Sequence, residues 1–136
     1  MATTERDKKR TEPFGYLMTI DLYGCKTGVC DDLSRCYQFL EDIVDTLRMK
    51  KQSPPYIFRS DASLYPDKAG LSGWVPLIES GIQIHTLVPK NFISIDIYSC
   101  RKFSTESIKE YCREYFSARE AEMHFVERGV KYNTIQ

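Results

Sequence analysis

Three residues near the middle of the chain carry side chains that could do chemistry together: Ser80, His85 and Cys100. His85 is one of two histidines in the 136 residues. A cysteine and a histidine on a shared surface can act as a thiolate nucleophile and its base; a serine and a histidine can act as a hydroxyl nucleophile and its base. Neither pattern is complete in the sequence. No Gly-x-Cys run or helix start surrounds Cys100 to lower its pKa. Ser80 lies in Glu79-Ser80-Gly81 rather than in a Gly-x-Ser-x-Gly elbow. An ordinary sheet with a satisfied histidine and a buried thiol accounts for the same residues, and on spacing alone it is the simplest reading.

The elements that must position these groups read as strands. Residues 82–87 alternate, with Ile82, Ile84 and Thr86 on one face and Gln83 and His85 on the other. Residues 92–100 alternate more cleanly. Ile93, Ile95 and Ile97 face one way; Ser94, Asp96 and Tyr98 face the other, and Cys100 sides with them by parity. Joined as a hairpin through Pro89-Lys90-Asn91, the two strands would put His85 and Cys100 on one face, away from the core; register decides whether they touch. Further strands are predicted over 15–22, 56–58, 74–78 and 123–126, with Pro76 marking an edge or a bulge. A helix capped by Asp31 or Asp32 is predicted to bury Leu33, Cys36, Tyr37, Leu40, Ile43, Val44 and Leu47, and to fray over 48–52 before Pro54-Pro55. A second helix opens at Ser104-Thr105-Glu106 and buries Ile108, Tyr111, Cys112, Tyr115 and Phe116. Residues 60–70 read as a long loop with turn residues Pro66, Asp67 and Gly70. This order predicts an α+β fold, a mainly antiparallel β-sheet with two helices packed on one face.

Length fits one domain over 14–136, preceded by a polar tail over 1–13 expected to be disordered, with Lys8-Lys9-Arg10 as a small basic cluster. Lys plus Arg total 19 and Asp plus Glu total 19, so no global field draws the chain to nucleic acid or an anionic membrane. No apolar run reaches membrane-spanning length and no apolar signal core opens the chain, so a cytoplasmic location is expected. The cysteines, Cys25, Cys30, Cys36, Cys100 and Cys112, lack C-x-x-C spacing. Neither a zinc site nor a disulfide framework is expected, and free thiols in a reducing compartment fit the pattern.

The segments Leu71-Ser72-Gly73, Glu79-Ser80, Ile84-His85-Thr86 and Ile95-Asp96-Ile97-Tyr98-Ser99-Cys100 resemble the small prokaryotic-type S-adenosylmethionine decarboxylase proenzymes. Ile20-Asp21-Leu22-Tyr23-Gly24-Cys25 and Glu127-Arg128-Gly129 extend the resemblance to about residues 15–129; it is weakest over 53–70, where this chain carries extra residues. The resemblance implies that family's α/β sandwich and a proenzyme that cuts itself between Glu79 and Ser80. Residues 1–79 would become a β chain and 80–136 an α chain. Ser80 would become a self-generated pyruvoyl group, the sole cofactor expected, with no metal. Such a ketone forms a Schiff base with a substrate amine and accepts the electrons left when CO2 departs. By the same resemblance His85 is the processing base with Ser72 as helper, Cys100 protonates the product carbanion, and Gly81 allows a tight backbone at the cut. Two processed protomers would join as an (αβ)2 homodimer, burying sheet left bare of helices.

The chain departs from the family pattern in three places. Gly81 stands where a His usually follows the reactive Ser. Leu87-Val88-Pro89 stands for Trp-Pro-Glu, so Pro89 replaces a glutamate that holds the ribose hydroxyls of the substrate. Arg101 stands where a Gly usually follows the Cys. The leading expectation is a pyruvoyl-dependent S-adenosylmethionine decarboxylase serving spermidine synthesis. Pro89 motivates an alternative, a pyruvoyl-dependent decarboxylase of another amine such as ornithine or arginine, with Asp96 or Asp61 receiving its cation. A third reading is an uncut, non-catalytic homologue that acts as a partner protein.

Overall fold

Six segments of alternating apolar and polar residues pair into one antiparallel sheet in the computed structural model, which describes residues 4–135 apart from the Arg10 side chain. In chain order the elements are α1 (Glu5–Thr11), β1 (Gly15–Tyr23), α2 (Leu33–Thr46), β2 (Tyr56–Arg59), β3 (Leu71–Pro76), β4 (Ser80–Leu87), β5 (Phe92–Ser99), α3 (Thr105–Tyr115) and β6 (Glu120–Arg128). The spatial order is β2-β3-β4-β5-β1-β6. Strands β2 to β5 follow one another as neighbours. The two longer helices occupy the two connections that cannot be tight turns: β1 to β2 crosses the sheet, and β5 to β6 steps over β1.

Strand parity decides which face is dry. Met18, Ile20, Leu22, Ile82, Ile84, Ile93, Ile95 and Ile97 are fully buried beneath α2 and α3. Each such side chain contributes roughly 1.5–3 kcal/mol on leaving water. Asp32 caps α2, its carboxylate accepting the Arg35 N–H. The helix buries Cys36, Phe39, Leu40, Ile43 and Val44, whereas Leu33 is exposed. Phe39 is absent from the single stripe predicted for this helix, yet it is fully buried. In the fold α3 lies alongside, and the Phe39 ring meets Tyr115 and Phe116 at 5.1 and 4.9 Å. Tyr115 Oη donates to Asp42 Oδ2 at 3.0 Å and ties the two helices together.

Some local expectations change. Pro76 marks neither an edge nor a bulge: β3 lies between β2 and β4, and Pro76 is its last residue, opposite Gly81. Ser104 precedes α3, yet its side chain makes no capping hydrogen bond. Of the tail expected to be disordered, residues 1–3 lie outside the described residues, and residues 5–11 form α1 behind a capping box between Thr4 and Asp7. The 60–70 loop is pinned at its end by Gly70. At φ 156° a Cβ there would lie 1.9 Å from Thr86 O, so a side chain would not fit. Val88 N–H donates to Ala69 O at 2.8 Å, laying this loop against the β4–β5 connection.

Candidate active site

The short turn between β3 and β4 carries Glu79 and delivers Ser80 as the first residue of β4. Ser80 has φ 152°, a backbone region that costs a non-glycine residue energy and persists only where its surroundings impose it. The tight backbone expected at Gly81 therefore sits one residue earlier; Gly81 instead makes room for the indole of Trp74, whose Nε1 would lie 3.1 Å from an added Cβ. The Glu79 carbonyl accepts the Cys100 N–H at 2.9 Å. The Glu79 carboxylate accepts the Lys50 N–H at 3.1 Å and lies 3.6 Å from the Arg101 guanidinium. The Lys50 amide first, then the residue's own backbone N–H and the charge on Arg101, hold this carboxyl below the usual carboxylate range.

The segment 48–52, expected to fray, is docked under this turn. Ile78 N–H donates to Lys50 O, and Gln52 N–H donates to Pro76 O, both at 2.9 Å. Cys100 is exposed, while Cys25, Cys30, Cys36 and Cys112 are buried. Burial pushes the Cys36 thiol up to about 12, and the Cys112 thiol also upward, so neither ionises at neutral pH. Cys36 is thus core, as its place on the α2 stripe suggested.

Ser72 and His85 form a separate pair. They face each other across β3 and β4, with Ser72 Oγ 3.1 Å from His85 Nδ1. Both lie on the face without helices, and His85 is exposed. The register separates this pair from the cleavage turn. His85 is opposite Ser94, whereas Ser80 is opposite Ser99. Five residues of extended strand at ~3.3 Å each put His85 about 16 Å from Ser80 in the same chain. His85 is farther still from Cys100. Within one chain His85 is therefore excluded as the base of Ser80 or of Cys100. The structure gathers Glu79, Ser80 and Cys100 at one end of β4 and leaves Ser72 and His85 farther along it.

A family model described as S-adenosylmethionine decarboxylase matches residues 16–129. The chain belongs to the S-adenosylmethionine decarboxylase family. It is 29% identical over 116 residues to an S-adenosylmethionine decarboxylase proenzyme of Clostridium botulinum (strain Loch Maree / Type A3), covering 85% of this chain and 94% of that one. It is 26% identical over 121 residues to a proenzyme of the same description from Thermococcus kodakarensis, covering 88% and 80%. The crystal structure of the adenosylmethionine decarboxylase from Aquifex aeolicus VF5 shares the fold, with a TM-score of 0.73 at 24% identity over 87% of this chain and 92% of that one.

Among the cavities on the helix-free face of this decarboxylase-family chain, two bear on the sequence expectations. One, of about 450 Å³, borders Ser80 and is lined by Trp74, Gln83, Asp96, Tyr98 and Arg128, the Arg128 guanidinium lying 4.5 Å over the Tyr98 ring. Burial, and then the Asp21 carboxylate, push Asp96 above the usual carboxylate range. The other, of about 460 Å³, lies past the far end of β4 and is lined by Tyr23, Leu87, Pro89, Lys90, Phe92 and Asp67. The Tyr23 and Phe92 rings are 5.4 Å apart there. The 60–70 loop thus brings a carboxylate to the wall that holds Pro89. Asp61, the other cation acceptor considered from the sequence, lines neither cavity. Sequence reasoning missed Lys50, Arg101 and Asp67. The first acts through its backbone, and the others take part only through contacts distant in sequence.

Proposed function

We propose that the chain is an S-adenosylmethionine decarboxylase that makes its own pyruvoyl group by cutting between Glu79 and Ser80, and that it works as a homodimer. The observation that carries this reading is the Glu79–Ser80 peptide, strained at Ser80 and hydrogen-bonded at its carbonyl oxygen by the Cys100 amide. Ser80 Oγ attacks the Glu79 carbonyl carbon and gives its proton to a base. The peptide C–N bond breaks, leaving an ester to Oγ and a free amine on Ser80. Negative charge gathers on the Glu79 oxygen in this step, where the Cys100 N–H already donates. Loss of the Ser80 α-proton then expels the Glu79 carboxylate, and water replaces the nitrogen, released as ammonia.

Once formed, the ketone supplies an electrophile for the substrate amine and a sink for the electron pair left by departing carbon dioxide. The exposed thiol of Cys100, whose amide bonds the same peptide, returns a proton to the substrate carbon. Within one chain His85 is about 16 Å from Ser80 along β4, so the base is the partner subunit's His85, steered by the partner's Ser72. Opposed helix-free faces would bring these groups together and cover the exposed Tyr56, Phe58 and Trp74. The same pairing would bring the cavity past Leu87 of one subunit to the cleavage end of the other, and that cavity suits a nucleoside. The Tyr23 and Phe92 faces take the base, and Asp67 accepts the ribose hydroxyls that Pro89 does not.

Intact mass under denaturing conditions tests the cleavage. The wild type is expected as fragments 1–79 and 80–136, the latter beginning with a pyruvoyl group, and Ser80→Ala as a single chain. The processed protein is expected to release CO2 from S-adenosylmethionine. An uncut wild type, a Ser80→Ala chain that still splits, or CO2 release from ornithine or arginine alone would overturn this reading. Asp67→Asn should raise KM about tenfold with little change in kcat, the cost of one weakened polar contact. An unchanged KM would remove Asp67 from the substrate site.

A further inference from the structure

Behind the cleavage turn stands a cation that none of the steps above uses. Arg101 touches each of the three segments that converge on Glu79. Its N–H donates to Ser99 Oγ at 2.9 Å, its guanidinium donates to Arg48 O at 3.0 Å, and the same group lies 3.6 Å from Glu79 Oε2. Ser99 is fully buried, so its bond to the Arg101 N–H closes a fixed turn around Cys100. The Cys100 N–H inside that turn is the one that donates to the Glu79 carbonyl. Arg48, whose carbonyl receives the guanidinium, sits at φ 55°, a conformation that a non-glycine residue holds with outside support. The opposite carboxylate oxygen of Glu79 is held by the Lys50 amide. Glu79 is thereby fixed at its carbonyl oxygen and at both oxygens of its side chain, and Arg101 contributes to both ends, through its backbone N–H at the carbonyl end and through its guanidinium at the side-chain end.

We propose that Arg101 is a positioning residue for self-cleavage, holding Glu79 and the Cys100 amide so that the Glu79 carbonyl carbon stays open to Ser80 Oγ. The proposal rests on cleavage at Glu79–Ser80 and adds to it a residue that reaches the reacting bond only through Glu79 and Cys100. The guanidinium is half-exposed, with 51% of the side chain in solvent, and a partly solvated ion pair contributes little to stability. Removing it should therefore leave the fold intact and slow one step. After the cut, the new α-carboxylate of Glu79 stays beside the Cys100 N–H, and Arg101 keeps the end of the β chain docked there.

The test follows cleavage of the freshly synthesised full-length chain by intact mass over time. Arg101→Ala is expected to cut about tenfold or more slowly than wild type, since small misplacements of reacting groups carry penalties of this size. Arg101→Lys should recover part of the rate, added guanidinium ion should restore cleavage to Arg101→Ala, and the thermal midpoint of each variant should match wild type. Glu79→Gln should slow the wild type but add little to Arg101→Ala, because both changes break one contact. A wild type that cuts while Arg101→Ala keeps pace within about twofold overturns the role of Arg101 alone. So does a slow Arg101→Ala that neither lysine nor guanidinium restores. A wild type that never cuts at Glu79–Ser80 overturns the cleavage reading, and this proposal with it.

Discussion

Cys100 serves the two halves of the proposed chemistry through different atoms. Its backbone N–H donates to the Glu79 carbonyl during cleavage, and its exposed thiol is free for turnover. A change confined to the side chain should separate the two. Cys100→Ala retains the N–H, so it is expected to cut at close to the wild-type rate. It should then lose about a hundredfold or more in kcat, the usual contribution of a placed proton donor. Intact mass and CO2 release measured on one preparation check both halves. Full turnover in the variant would remove the thiol from the mechanism. An uncut variant would mean that the side chain, not the amide, assists cleavage.

Strands β4 and β5 lay their polar residues along one face as a ruler, and Asp96 lies near its middle, opposite Gln83 on one side and Thr19 on the other. Half-buried and near Asp21, its carboxyl binds a proton more tightly in the folded protein than in the unfolded chain. The native state therefore holds more protons through this range, and stability falls as pH rises from the unfolded carboxylate pKa through the raised folded value. Asp96→Asn abolishes that loss. The variant is expected to melt about 2 °C above wild type at neutral pH, a modest gain because solvent still screens the carboxylate. Its advantage should vanish in acid below the ordinary carboxylate range. Thermal melts across pH check this. A variant less stable than wild type at pH 7 would mean that the ionised carboxylate has a favourable partner on this face.

The whole molecule presents one face covered by α2 and α3 and one face carrying Trp74, Tyr56, Phe58, His85 and both cavities. If two such faces oppose each other, each cleavage site borrows a histidine from its neighbour. A mixed dimer then has a distinctive signature. In a Ser80→Ala and His85→Ala pair, the His85→Ala chain keeps its own Ser80 and receives an intact His85 from its partner. It is expected to be cut in the mixed dimer and to stay whole in the His85→Ala homodimer. Co-expression with distinguishable tags, read by intact mass, checks this. Cutting of the His85→Ala chain without any partner carrying His85 would place the base elsewhere. Among the described residues no helix is long and apolar enough to cross a membrane.

The sequence by itself determined what depends on neighbours along the chain. Period two in 82–87 and 92–100 assigned Ile82, Ile84, Ile93, Ile95 and Ile97 to the core and His85 to the open face, because parity is a property of the extended backbone. A cap at Asp31 or Asp32, of which the fold uses Asp32, the α+β order and the run Glu79-Ser80 were legible for the same reason, and with them the family. Tertiary structure decided everything that depends on register and on contacts between distant segments. It set His85 against Ser94 and so parted it from Cys100. It added Phe39 to the core by laying α3 beside α2, and it moved the strained residue from Gly81 to Ser80. It also docked 48–52 and Arg101 against Glu79 and brought Asp67 to the cavity of Pro89. No local pattern encodes those meetings, because each is set by how a whole strand or loop packs rather than by the residues beside it.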